Sequence, residues 1–572
     1  MKKFLLGLAS GVLLALLAIL IVVAALARLG SRPPAVADSS TLVLKLSGEI
    51  AERAPTEIPL PFFESQSPFT TREVWEMLRK AAVDDRIKAV VLLPRSIDAG
   101  WGKLEEIRGA LAAYRRSGKP LVAYLRSAGT REYYLATAAD RIAMAPEDLL
   151  DVKGLRIERT YFRGTLDKLG VQVDIEHAGK YKDYGDQYAR TSMRPESKEV
   201  LNSILDDLYG RMTQTLAESR KKSPAEMRAT IDEGPFLSSE ALAKGLVDSL
   251  EYEDQTYDAL ARRLKIQPLK RVSARDYTKV SAASLGLEGP HRIALIAAEG
   301  DILQASGGPF DEQAITPGGM TKTFREVAED PSVKGVILRI DSPGGDALAS
   351  DQIWREANLL GRKKPMVVSM SDLAASGGYY MAMTGDPVLA YPNTLTGSIG
   401  VLYGRVNLRG LYGKLGITKD SLARGRFAQI DSEYVPLTPE GREKIRRGVE
   451  ANYHGFVTRV AESRHRKYEE IEPLAQGRVW LGSQARERGL VDELGGLDRA
   501  IELVKQKARI PKDQKIKLID YPGKRTIVDW VLERERAAAI EPHLDVLLKQ
   551  VHAALWMRGG LMRVMPYTIT VR

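Results

Sequence analysis

The sequence predicts an α/β protein in which one unit is built twice behind an N-terminal apolar helix. Three observations predict it. Segments of the two halves match one another at a nearly fixed offset. Short β-branched apolar runs alternate with helical stretches in each half, the pattern of buried parallel strands joined by crossover helices. The first residues after Met1-Lys2-Lys3 form an uncharged stretch long enough to cross a bilayer.

Taken in chain order, the apolar stretch runs from Phe4 to Ala27, 24 residues without a charge, or about 36 Å as a helix. A cleavable signal usually has an apolar region of only about 7–15 residues, so an uncleaved signal anchor is expected. Ala25-Leu26-Ala27 resembles a small-residue cleavage site and argues the other way. Lys2 and Lys3 lie on one side and Arg28 and Arg32 on the other, so charge decides little about orientation. A single anchor before a large domain most often places that domain outside the cytoplasm. Ser31 to Ser40, with Pro33-Pro34, reads as a short stiff linker.

The matching halves follow. Ile87–Leu93 resembles Val333–Arg339 at an offset of 246, and Tyr133–Thr137 meets Tyr379–Met383 at the same offset. Lys168-Leu169-Gly170 meets Lys414-Leu415-Gly416, again at 246. Gly245–Asp248 matches Gly489–Asp492 at 244, and Gly48-Glu49-Ile50 pairs with Gly300-Asp301-Ile302 at 252. The chain divides into an anchor (1–29), a linker (30–40), a first repeat (41–285), a second repeat (286–525) and a tail (526–572). Strands are expected at Leu42–Leu46, Val90–Leu93 and Leu121–Leu125, and at Ile293–Ala297, Val336–Ile340 and Met366–Met370. Helices are expected at Lys103–Arg116 and Ala349–Arg362, and a long charged amphipathic one at Pro439–Arg466. Gln304–Met320, rich in Gly and Pro, reads as a mobile lid.

Composition narrows the chemistry. The 572 residues are 44% hydrophobic and 28% charged, which is globular. With no cysteine, a disulfide scaffold, a zinc–thiolate site, an iron–sulfur cluster and a cysteine nucleophile are excluded. Six histidines without an HExxH pair point to no metal site, and no cofactor is implied. The net charge of +10 is modest for this length, and no long basic run suggests nucleic acid.

Three glycine-containing segments of the second repeat carry the chemical signal. Asp341-Ser342-Pro343-Gly344-Gly345 follows the strand Val336–Ile340. A Pro-Gly-Gly turn leaves backbone N–H groups unobstructed, as an oxyanion hole requires; taken alone it is a tight turn. Ala374-Ala375-Ser376-Gly377-Gly378-Tyr379-Tyr380 places Ser376 at a strand-to-helix turn. That position suits a nucleophile but, taken alone, an N-cap as well. Thr396-Gly397-Ser398-Ile399-Gly400 offers Ser398 as a partner for a catalytic amine or as a turn residue.

A serine nucleophile needs a base. No histidine stands in a Ser-His-Asp context, which leaves a lysine whose burial keeps it neutral. The first repeat supplies Gly179-Lys180-Tyr181-Lys182-Asp183. Across the repeats, Lys182 falls opposite Ala428 and Lys180 opposite Arg426. Ser376 falls opposite Thr130, Gly377 and Gly378 face Arg131 and Glu132, and the Pro-Gly-Gly turn has become Ile97-Asp98-Ala99. The second repeat keeps the serine and the turn; the first keeps the lysine. Two half-sites make one site at the junction of the repeats.

With these motifs the chain resembles the signal peptide peptidase A family in its long, two-repeat, membrane-anchored form, over about residues 41–500 and the anchor. The resemblance implies a crotonase-like (Clp-protease-like) fold in each repeat and a Ser/Lys dyad drawn from both. By motif position it implies Ser376 as nucleophile, Lys182 rather than Lys180 as general base, and Ser398 as the residue that positions the lysine. Gly344, Gly345 and Gly377 would supply the oxyanion hole. It further implies a homotetramer in the inner membrane, its catalytic repeats on the periplasmic side, acting on hydrophobic peptides such as cleaved signal peptides. The tail departs from the family. Its amphipathic runs, Ile527–Leu532 and Leu544–Trp556, suit docking across a subunit interface or onto the membrane. Two other classes compete: an acyl-CoA-processing crotonase-like enzyme, and a non-catalytic membrane scaffold.

Overall fold

The computed structural model describes residue 11 and residues 36–53, 68–305, 314–523 and 558–565. Among them no helix is long and apolar enough to cross a membrane. The expected anchor (apart from Gly11), residues 30–35 of the linker, and both amphipathic runs of the tail lie outside the described residues.

In the first repeat the strands are β1 (Ser40–Glu49), β2 (Ile87–Asp98), β3 (Leu121–Leu125), β4 (Ala128–Gly129), β5 (Arg141–Met144), β6 (Leu149–Asp151), β7 (Gln172–Ala178), β8 (Phe236–Leu237), β9 (Ser249–Leu250) and β10 (Lys270–Ser273). Six of them form a parallel sheet in the order β10-β1-β2-β3-β5-β9. The helices used below are α1 (Thr71–Val83), α2 (Trp101–Arg115), α3 (Thr130–Ala136), α4 (Pro195–Ser219) and α5 (Glu253–Leu264). Thr70 caps α1 in a capping box with Glu73, and Val74, Met77, Leu78 and Ala81 form its buried stripe.

The second repeat runs β11 (His291–Glu299), α6 (Pro317–Glu329), β12 (Val333–Ser342), β13 (Gly344–Asp346), α7 (Ala347–Lys363), β14 (Met366–Ala375) and α8 (Gly377–Ala382). It continues with β15 (Val388–Ala390), β16 (Leu395–Gly397), β17 (Val401–Asn407), α9 (Pro439–Ser463), β18 (Val479–Leu481), β19 (Glu493–Leu494), α10 (Leu497–Lys507) and β20 (Ile516–Tyr521). Its main sheet has the order β18-β16-β14-β12-β11-β20. β14 is long enough to pair with β12 and then with β16. In the first repeat the same path is cut into β3 and β4, so β4, β6 and β8 form a separate three-stranded sheet. Every strand expected in the repeats falls within one of these elements, as does the helix Ala349–Arg362; the helices expected at Lys103–Arg116 and Pro439–Arg466 end at Arg115 and Ser463. One expectation is corrected. Pro317–Met320, read as part of a lid, is the first turn of α6, started by the Thr316 cap and a proline at its N-terminus.

Two features bind the repeats into one body. The first is a shared core. Ile293, Leu295, Ile337 and Val367 on one face of the second sheet belong to the same buried cluster as α1 and α2 of the first repeat. The second is a buried ionic seam. Arg339 on β12 donates to Glu52 at 2.9 and 3.0 Å, to Glu106 at 2.5 Å and to Ser369 at 2.9 Å. Beside it, Lys103 pairs with Asp341 at 2.7 Å and donates to the Ile50 carbonyl at 2.8 Å. A last strand, β21 (Arg558–Val564), comes from the tail. It completes a four-stranded sheet in the order β13-β21-β17-β7, to which the first repeat contributes β7.

Candidate active site

Ser376 stands where β14 gives way to α8. Its backbone lies at φ 54°, ψ −113°, a conformation a serine adopts only when its surroundings hold it there. They do: the Ser376 N–H donates to the Gly397 carbonyl at 2.8 Å, and its carbonyl accepts from Tyr380 at 2.8 Å. The side chain is fully buried.

Lys182 arrives from the other repeat. β7 pairs with β17 from Val401↔Ala178 to Asn407↔Gln172, and the chain then turns at Gly179. The Tyr181 N–H fastens that turn to the Gln476 carbonyl at 2.7 Å. The Lys182 amine donates to Ser376 Oγ at 2.8 Å, to Ser398 Oγ at 3.0 Å and to the Ser398 carbonyl at 3.1 Å. Its stem passes two glycines. A Cβ on Gly477 would lie 2.6 Å from the lysine Cβ, and one on Gly400 3.1 Å from its Cδ. Side chains at either position would close the channel.

The electrostatics follow from this burial. Desolvation pushes the Lys182 amine well below the ordinary lysine value; Asp183 pulls it back and Arg563 pushes it further down. Asp183 is answered by Arg159 at 2.6 Å and by Ser197, so it leaves the neighbouring amine largely to its desolvation. Lys180 is exposed and lies beside its own neighbour, with Nζ 3.4 Å from Tyr181 Oη. The amine next to Ser376 is therefore that of Lys182. A neutral amine in hydrogen-bond contact with an alcohol can take its proton.

The glycines fall into two roles. An ideal Cβ on Gly344 would stand 2.6 Å from the Gly377 N, so the turn and the start of α8 abut. Gly344 has φ +99°, which favours glycine, and its N–H is 3.2 Å from Ser342 Oγ. Gly345 lies in β13, where a Cβ would meet the Ile302 carbonyl oxygen at 2.0 Å. Ser376, Lys182 and Ser398 thus form one hydrogen-bonded set, with Gly344 and Gly377 packed against each other beside it. Sequence reasoning passed over Gly400, Gly477 and Arg563. Gly400 closes a motif already singled out, and its close approach to a lysine was the missing step. Gly477 and Arg563 carry no signal until the fold brings them in.

The two-repeat α/β fold and the buried serine at its strand-to-helix turn fit a class, the α/β serine hydrolases. The model of Peptidase family S49 matches residues 113–267 and 358–511, more than half of the chain and one segment in each repeat. The chain belongs to peptidase family S49 and is a serine peptidase of that family. It is 37% identical over 504 residues to "Serine protease SPPA, chloroplastic" of Arabidopsis thaliana, covering 87% of this chain and 73% of that one. It is 30% identical over 516 residues to "Protease 4" of Salmonella typhi, covering 86% and 82%. Among solved structures, ClpP1 from Listeria monocytogenes aligns at 16% identity with a TM-score of 0.22, over 36% of this chain and 91% of that one.

Proposed function

We propose that the protein is a membrane-anchored endopeptidase that cuts hydrophobic peptides, such as signal peptides left in the membrane, through a Ser376–Lys182 dyad. The observation that carries this reading is the 2.8 Å hydrogen bond between a buried lysine of one repeat and a buried serine of the other. Neutral Lys182 takes the Ser376 proton as Oγ attacks the peptide carbonyl. The N–H of Gly377, with those of Gly344 or Gly345, holds the oxyanion. The lysine then returns its proton to the leaving amine. Water, deprotonated by the same amine, hydrolyses the acyl-enzyme. Ser398 keeps the amine aimed at Oγ. The uncharged stretch Phe4–Ala27 supports an anchor that holds the repeats next to membrane peptides on the periplasmic side.

Assembly into a homotetramer is part of the same reading. Residues 418–424 of the second repeat correspond to β7 and form no strand; with Leu415, Ile417 and Leu422 they present exposed apolar side chains. A second copy of the chain would cover them.

The test is peptide hydrolysis by the full chain in detergent. Ser376→Ala and Lys182→Ala are expected to lose about 10³-fold or more in kcat, and Lys180→Ala to keep it. Full activity in Lys182→Ala would overturn the assignment of the base. In the active chain, kcat/KM rises towards alkaline pH and levels off once the lysine is neutral. A profile that falls above neutrality contradicts a lysine base.

A further inference from the structure

The residue after the proposed base is an acid. Asp183 is fully buried and follows Lys182 in the turn that leads to the helix Asp186–Ala189. A buried anion beside an amine favours the protonated form, and Lys182 can act as a base only when neutral. The second repeat has neither group: at the 246-residue offset Lys182 and Asp183 become Ala428 and Gln429. The acid thus stands where it opposes the chemistry, unless its charge is cancelled.

Arg159 cancels it. This residue lies in the segment between β6 and the helix Arg163–Leu169, and its side chain is almost as buried as the acid. One guanidinium nitrogen donates to Asp183 Oδ2 at 2.6 Å and the other to the Asp183 main-chain carbonyl at 2.5 Å. Ser197, in the first turn of α4, donates to the same Oδ2. Among the described residues Oδ1 accepts no hydrogen bond, so the carboxylate depends on the cation beside it. Burial pushes the Asp183 carboxyl up, while Arg159 and Ser197 pull it down. The neighbouring charges are of three kinds. Asp186 pairs with Arg194 at 2.6 Å. Burial holds His177, on β7, below its ordinary value. Arg563, on β21, is a second cation near the amine. The residue that matches Arg159 in the second repeat is Arg405, which donates to the Ile430 and Val435 carbonyls at 2.7 Å and to Asp174 at 3.2 Å. Holding the main chain is common to both arginines; the clamp on an acid next to the amine is specific to Arg159.

We propose that Arg159 is a positioning residue for the reaction: gripping Asp183 by its carboxylate and its carbonyl, it fixes the turn that carries Lys182 and cancels the negative charge that would keep the amine protonated. This rests on the reading of Ser376 and Lys182 as the dyad.

The test is the pH profile of kcat/KM for a fluorogenic peptide, measured on the full chain in detergent, because its inflection reports the base of the free enzyme. Arg159→Gln leaves Asp183 uncancelled and is expected to move the inflection up by about one pH unit. Asp183→Asn keeps the cation without the anion and is expected to move it down. The double variant should return it close to the parent's position, and Arg159→Lys, which retains the charge, should keep it there. A clamp that is merely structural would lower kcat or melting temperature in both single variants and leave the inflection in place, or shift both the same way. Either result overturns the proposal. Should Arg159→Gln fail to fold, Asp183→Asn decides alone, and an inflection at or above the parent's overturns it. Ser376→Ala and Lys182→Ala in the same assay report separately on the dyad. Activity that survives either one sinks the dyad. Activity lost in both, with a fixed inflection in the Arg159 and Asp183 variants, sinks only the clamp.

Discussion

Thr130 and Ser376 stand at equivalent corners of the two repeats, each where a strand turns into a short helix. In the first repeat the corner is filled from within. The Glu132 carboxylate accepts from the Ile97 N–H at 2.6 Å and the Gly129 N–H at 3.0 Å, and Arg131 reaches back to the Ile97 carbonyl at 3.3 Å. In the second repeat the same positions are Gly378 and Gly377, against which the small side chains of Ser342 and Ser350 pack. Backbone donors at such a corner must be satisfied by something. The first repeat satisfies them with its own carboxylate. The second has no such carboxylate: the Gly344 N–H donates to Ser342 Oγ at 3.2 Å, and the Arg563 carbonyl oxygen lies beside Gly344 and Gly377. The two corners differ in backbone as well as in side chains: Ser376 lies at φ 54° ahead of its helix, whereas Thr130 is the first residue of its own.

The sharpest way to break this comparison is to remove the amine that the proposed dyad draws from the first repeat. Lys182→Arg keeps a cation in place but cannot become neutral, and Lys182→Met keeps the bulk without the amine. Both are expected to lose about 10³-fold in kcat. Their stabilities should diverge. The unfolded lysine holds its proton up to about its ordinary value of 10.5, whereas the folded one gives it up well below. Between those values the unfolded state binds more protons, so the parent gains stability as pH rises. Lys182→Met is expected to melt above the parent at pH 7, with the gap closing towards pH 10.5. A constant gap across that range would mean the amine is charged in the folded state.

A smaller effect comes from giving the second repeat the residue that the first has at its turn. Gly344→Asp, matching Asp98, adds a Cβ 2.1 Å from the Arg563 carbonyl oxygen and 2.6 Å from the Gly377 N, at φ +99°. The expected loss in kcat is about 10²–10³-fold, the scale of a damaged oxyanion site, while labelling of Ser376 by a serine-reactive probe falls less. Unchanged kcat would remove Gly344 from the site.

How much of this was legible in the sequence depends on the range of the interaction. The fixed offset exposes the duplication, and strand periodicity places β1, β2, β3, β11, β12 and β14, because those signals are local. Complementary losses at Ser376/Thr130 and Lys182/Ala428 pick out the pair that the fold brings to 2.8 Å, since a shared site leaves each repeat only half of the selection. The ionic seam escaped notice, because Glu52, Glu106 and Arg339 meet only through tertiary packing. So did β21. A short strand bound between two edges needs no periodicity of its own, and Arg558–Val564 has none that marks it as a neighbour of the Pro-Gly-Gly turn.

Glu132 tests the structural corner in turn. Glu132→Gln keeps the size and one acceptor oxygen but loses a charge-assisted bond to one of two backbone donors. A stability loss of about 1–2 kcal/mol is expected, read as a lower melting temperature, with kcat and KM unchanged. A change in kcat would mean that the two corners communicate.

The smallest effect lies in the contact between the repeats. Glu105 on α2, partly buried, accepts from the Asn393 N–H of the second repeat at 3.1 Å. Burial there raises its carboxyl to about 7 from 4.5. The folded state therefore keeps a proton that the unfolded state has already released between those values. Stability falls as pH rises through the window and levels off above it. Glu105→Gln keeps an acceptor for Asn393 and does not titrate. Relative to the parent it should gain on the order of 1 kcal/mol between pH 4 and pH 8, a figure held low because the side chain is partly solvated. Melting curves of the two proteins that stay parallel across this range would place the Glu105 carboxyl in water and remove it from the contact between the repeats.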